Sequence, residues 1–184
     1  FNQQSGLVAI NDTLRFVQTT SMAGFSPRFS YQVKGIPHTI TLSVNYQEVA
    51  DLNEFNATPQ SARIANGYLN YAINWKAQNF SIQGSLNYNN NVVGGNENER
   101  LGIGAGANKS FFAKTLTWRG NVNYSLNRFN QQEDGWVLSL NTSATYRIRK
   151  KQSLSLNVFY LNRNTKIQNP FSEWRGAAGY QFNF

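Results

Sequence analysis

The sequence contains no cysteine, which removes disulfides, thiol nucleophiles and thiolate metal sites together. It contains a single histidine, His38, which follows "GIP" and is expected to be a turn residue. Acids are scarce, nine against seventeen Lys and Arg, for a formal charge of +8. The basic residues are dispersed rather than gathered on one element, so no nucleic-acid partner is expected. Charge of either sign is thin, at 14% of residues against a usual quarter. Blocks of Ala, Glu, Lys and Leu that favour helices are missing. So is any apolar run near the roughly 20 residues of a membrane-spanning helix. That last absence leaves open a membrane barrel, whose strands alternate lipid-facing and lumen-facing residues and keep average hydropathy low. The chain begins at Phe1 without an initiator Met or signal peptide, and is expected to be a processed protein or a piece of a longer one.

What is present is Asn, Gln, Ser and Thr, with aromatics at 14%, too many for a disordered chain. They are arranged with a period of two. "HTITLSVNYQ" sets Ile40, Leu42, Val44 and Tyr46 against Thr41, Ser43, Asn45 and Gln47. "FSIQGSLNY" sets Phe80, Ile82, Leu86 and Tyr88 against Ser81, Gln83, Ser85 and Asn87. The pattern recurs through Leu116–Tyr124, Trp136–Ile148 and Leu154–Tyr160 to the last residue. Strict alternation over eight to twelve residues is the signature of strands. It predicts nine, at 25–33, 38–48, 64–75, 80–89, 100–109, 114–127, 135–148, 153–162 and 172–184, with 13–21 a candidate tenth. One domain is expected at 25–184, preceded by a segment 1–24 that is a strand, a plug or a linker.

The connections alternate in length. "KGIP" (34–37), "KAQN" (76–79), "KSFFA" (109–113) and "RKKQ" (149–152) are short, whereas 48–63, 90–99, 128–135 and 163–171 are long and polar. Tight turns at one end and loops at the other make an antiparallel up-and-down meander, the pattern of transmembrane β-barrels. The fold class predicted is therefore all-β, an up-and-down transmembrane barrel of about nine to ten strands. Parity alone does not separate this from a soluble barrel, but two features do. Aromatics gather at both ends of the apolar stripe: Trp75, Phe80, Trp118, Tyr146, Phe182 and Phe184 at one, Tyr46, Tyr88, Tyr124, Trp136, Tyr160 and Trp174 at the other. The run from Trp136 to Tyr146 spans about 23 Å in a tilted strand, close to the apolar band of a membrane barrel with its two aromatic girdles. The opposite face carries Asn, Ser, Thr, Gln and Gly with scattered Arg119, Arg147 and Arg175, where a soluble exterior would carry Lys and Glu.

The chain ends "EWRGAAGYQFNF", inside an alternation rather than in a polar tail. This ending resembles the C-terminal signature of Gram-negative outer-membrane β-barrel proteins, which finish on Phe with aromatics at alternate positions. The resemblance implies that Tyr180, Phe182 and Phe184 form the signal read by the barrel-assembly machinery, and that the chain is the barrel portion of an outer-membrane protein. Ala177, two positions before Gly179, departs from the polar residue the family often has there. Short turns and C-terminus are then expected on the periplasmic side, with the lipid bilayer, lipopolysaccharide and other chains of an outer-membrane complex as partners.

Eight of the nine acids, Glu48, Asp51, Glu54, Glu97, Glu99, Glu133, Asp134 and Glu173, lie in or beside the long connections, Asp12 being the exception, and the short turns and their edges hold Lys34, Lys76, Lys109, Lys114, Arg149, Lys150 and Lys151. Charge is thereby kept out of the bilayer. No metal cluster, cofactor loop or catalytic constellation is legible, so no metal, no cofactor and no enzyme are expected. "LGIGAGA" (101–107) mimics a nucleotide loop but sits within a strand, where glycines serve close packing or curvature. The expected function is a non-catalytic membrane scaffold or anchor; the alternative is a small porin-like channel for passive diffusion. Against the channel stands the absence of a legible run of lumen charges. The polar face is too small in side-chain volume to fill a narrow barrel, which points to a larger barrel, a plug from elsewhere or a narrow wet pore.

Overall fold

The computed structural model describes residues 2–11, 14–51, 61–149, 152–166 and 169–182, with side chains described from residue 19 onward except at 51 and 149. The strands are β1 (Asn2–Asn11), β2 (Leu14–Phe25), β3 (Arg28–Val33), β4 (Ile36–Asp51), β5 (Ala62–Trp75), β6 (Phe80–Val93), β7 (Asn96–Phe111), β8 (Leu116–Phe129), β9 (Gln132–Arg149), β10 (Gln152–Thr165) and β11 (Phe171–Phe182). A 3₁₀ turn at Lys76–Gln78 joins β5 to β6.

The strands pair antiparallel with their sequence neighbours, except that β2 and β3 both pair with β4 and not with each other, giving one sheet in the order β1-β2-β4-β5-β6-β7-β8-β9-β10-β11. The all-β, up-and-down meander expected from the alternation is what forms. The sheet is open, because β1 and β11 stand at its two ends rather than pairing with each other. β2 and β3 occupy one edge of β4 in tandem, β2 along Val44–Asp51 and β3 along Ile36–Thr41. They are separated at Ser26–Pro27, where proline has no N–H for the ladder. Its carbonyl still accepts from Leu42 N at 3.1 Å. The strand predicted at 25–33 is thus the second half of a longer path, and β1 was not foreseen.

Two connections differ from expectation. The polar stretches 90–99 and 128–135 are not loops. β6 and β7 run on to a two-residue turn at Gly94–Gly95 (φ 56° and 82°), and β8 and β9 to one at Asn130–Gln131 (φ 48° and 64°). Positive φ at both central residues matches the right-handed twist of the flanking strands. Polar side chains on both faces cost an extended hairpin nothing where both faces meet water, so polarity did not mark the end of the ladder. Asn90 Nδ2 donates to Glu97 at 2.6 Å, Glu97 N donates to Asn130 Oδ1 at 2.8 Å, and Arg128 pairs with Glu99 at 3.7 Å.

No hydrophobic side chain is buried among the described residues. The accessible surface is 13512 Å², whereas a folded monomer of 20.8 kDa is expected to expose about 8,900 Å². The excess is the signature of a single layer. Its apolar side needs a cover that the described chain does not supply.

Candidate functional site

Register converts the alternation into two continuous faces. On one, Leu42, Leu69, Leu86, Ile103, Tyr124 and Leu138 stand in a row across six strands. On the other, Thr41, Asn70, Ser85, Gly104, Asn123 and Ser139 form the parallel row. The sheet curves toward the polar side. Leu101 and Ile103 are 53% and 54% exposed while Gly102 between them is buried, as inner side chains crowd and outer ones splay. The glycines of "LGIGAGA" make room for that crowding. A Cβ on Gly104 would stand 2.6 Å from Ser85 Oγ, and one on Gly106 3.1 Å from Gln83 Nε2. The expectation of close packing holds for this stretch.

Charges on the apolar face lie at its two ends. Lys109 reaches out of the stripe, its Nζ donating to Gln78 O at 2.8 Å and lying over Phe80 and Phe111. At the far end stand the Arg128–Glu99 pair and Glu48, which accepts from Tyr46 OH at 3.0 Å. His38 is a strand residue rather than a turn residue. It sits in β4, stacked on Tyr31 with ring centroids 5.2 Å apart, and its Nδ1 lies 2.6 Å from Tyr71 OH.

The aromatics singled out from the sequence fall as follows. Trp75 and Phe80 stack at the β5–β6 turn, with centroids 5.4 Å apart. At the opposite end Tyr124 and Trp136 stack at 6.1 Å, and Tyr160 and Trp174, directly paired in β10 and β11, meet at 4.4 Å. Tyr88 lies in β6 on that same side, and Tyr146 closes β9 near the first end. Trp118 bends over Gly120, and its Nε1 donates to Thr142 Oγ1 at 2.9 Å. Tyr180 and Phe182 belong to β11; Phe184 lies outside the described residues.

The polar face holds a hollow of about 380 Å³ near its middle, lined by Gln83, Asn108, Arg119, Asn121, Asn141 and Ser143 among others. Asn108 Oδ1 is buried there without a partner, as is Asn70 Oδ1 two strands away. Of the three arginines expected on this face, Arg119 lines the hollow, Arg147 lies nearer the turns, and Arg175 pairs with Glu173. Of this group the sequence singled out only Arg119 as a site candidate; Asn121 shares its strand, and the others come from β6, β7 and β9.

No protein-family profile and no curated protein matches the chain. Among solved structures it resembles the outer-membrane expressed OmpT of Vibrio cholerae, with a TM-score of 0.51 at 9% identity, over 97% of this chain and 64% of that one. In-vitro folded OmpT, an outer membrane protein of the same organism, gives 0.47 at 8% identity over 97% and 88% of the two chains. Its trimer form gives 0.47 at 9% over 89% and 64%. The chain thus spans 64% of the length of the first of these. At such identity the likeness is one of fold, that of an outer-membrane β-barrel protein. It also corrects the expectation that the chain is not an enzyme. The structure it resembles at a TM-score of 0.51 is an OmpT, and a shared barrel fold gives no ground for excluding catalysis.

Proposed function

We propose that the chain is a wall of a bacterial outer-membrane barrel around an aqueous lumen that passes small polar solutes. The polar face carries the reading. Small narrow barrels close their interior with side chains, and here the middle of that face is carboxamides, hydroxyls and glycines around an open hollow of about 380 Å³. The unpartnered acceptors of Asn70 and Asn108 are groups that water satisfies. The apolar row through Leu86 and Ile103 faces lipid, the turns at Lys34 and Lys76 face the periplasm, and Tyr180, Phe182 and Phe184 serve as the assembly signal.

The test is conductance. Residues 1–184 are refolded in detergent, checked for a heat-sensitive mobility shift, and added to a planar bilayer. Stepwise conductance from the shifted species is the expected result. A compact, heat-sensitive species that never conducts would overturn the reading.

A further inference from the structure

We propose that the polar wall favours anions, with Arg119 at a transit site for small oxyanions such as carboxylates or phosphate; this rests on the lumen reading above. Arginines on this face are Arg28, Arg100, Arg119, Arg147, Arg163 and Arg175, from register with Thr41, Asn127, Ser143, Ser153, Val137 and Phe159. Their acidic counterpart among the described side chains of the same face is Glu173, and it is taken: Arg175 Nη2 donates to it at 2.9 Å. Arg100 donates to Asn127 Oδ1 at 3.2 Å, and Arg163 lies over the Phe171 ring. Arg119 and Arg147 make no ion pair among the described residues.

Each of these two lines a hollow, and neither lining contains a carboxylate. Around Arg119 the groups are Gln83, Asn108, Asn121, Asn141 and Ser143, in about 380 Å³. Around Arg147 they are Lys114, Thr117, Thr145, Ser153 and Gln181, in about 270 Å³. A guanidinium offers a fork of donors that matches an oxyanion, and neutral amides and hydroxyls complete its shell without repelling it. Arg147 lies four residues along β9 from Ser143, the partner of Arg119, or about 13 Å along the strand. Two cationic stations in series allow an anion to enter one and leave by the next, the condition for conduction. The sequence put both arginines on the polar face but hid their alignment, because they lie on different strands. What aligns them is register across the sheet, not spacing along the chain.

Two readouts test it on the full chain. In a bilayer under a KCl gradient, the reversal potential of the wild type reports chloride over potassium, and Arg119→Gln with Arg147→Gln moves it toward potassium. Independently of conductance, the cysteine-free chain carries Ser143→Cys, and rates with an anionic and a cationic methanethiosulfonate are compared. The anionic reagent gains about fivefold relative to a control at Ala72→Cys, and Arg119→Gln removes the gain. Conductance without anion preference, and equal rates at both cysteines, would overturn the anion site and leave the lumen standing. Absence of conductance with the rate preference intact would overturn the pore and leave the anion site. Cysteines inert to both reagents would show a dry face and overturn both.

Discussion

Asn123 fills the space that a side chain on Gly104 would need: the two are directly paired across β7 and β8, and a Cβ on the glycine would stand 2.5 Å from Asn123 Oδ1. The polar face of the sheet is therefore packed where it curves, although the groups that pack there, Asn123 and Ser85, are hydrophilic. Gly104→Ala must displace both Asn123 and Ser85, and is expected to destabilise by about 1–3 kcal/mol. Gly176→Ala meets nothing within 4 Å and is expected to be neutral or stabilising by about 0.5 kcal/mol. Urea midpoints in phospholipid vesicles compare them, and equal losses at both sites would contradict the packing.

The two faces differ in what they tolerate. Leu86→Arg or Ile103→Arg places a charge in the middle of the apolar row and is expected to cost about 2–4 kcal/mol in a bilayer. Asn121→Arg, on the polar face beside the hollow, is expected to change stability by less than about 1 kcal/mol. The same vesicle unfolding measures both, and a reversed order would mean the faces are assigned the wrong way round.

The indole of Trp118 and the hydroxyl of Thr142 bond across β8 and β9 on the apolar side. Trp118→Phe and Thr142→Val are each expected to cost about 1 kcal/mol. The double variant is expected to cost less than their sum, by about 1 kcal/mol, because both remove the same bond. Strict additivity would mean the bond contributes nothing.

The turn at Asn130–Gln131 holds glutamine at φ 64°, a conformation in which Cβ is strained. Gln131→Gly supplies the residue this turn type prefers and is expected to raise stability by about 0.5 kcal/mol. Limited trypsin treatment of the folded chain adds a check, since Arg128 in the β8 ladder should resist cleavage. Rapid cutting there would restore the loop first expected.

Much of the layout was legible because β-strands translate directly into sequence. Alternation placed Leu42, Leu69, Leu86 and Ile103 on one face before any register was known. It also separated the chain's strands at nearly the right positions from β4 to β11. What misled was polarity. Asn90, Glu97, Glu99 and Arg128 read as loop because they are hydrophilic, yet their backbones stay in the ladder and their side chains bond one another across it. β1 escaped because "NQQSGLVAIN" alternates poorly, and its pairing with β2 depends on an edge that only the assembled sheet presents.

The sequence by itself determined the class of fold and the sidedness of the wall, because a period of two assigns each residue to a face whatever its partners are. It could not determine neighbours across the sheet. Only the tertiary structure decided that Gly104 lies under Asn123, that Arg119 faces Ser143 and gathers carboxamides from three other strands, and that Glu173 is spent on Arg175. Those contacts depend on register, which is set by the lengths of turns and the positions of bulges. A one-residue slip would preserve the composition of every strand while turning its residues to the opposite face.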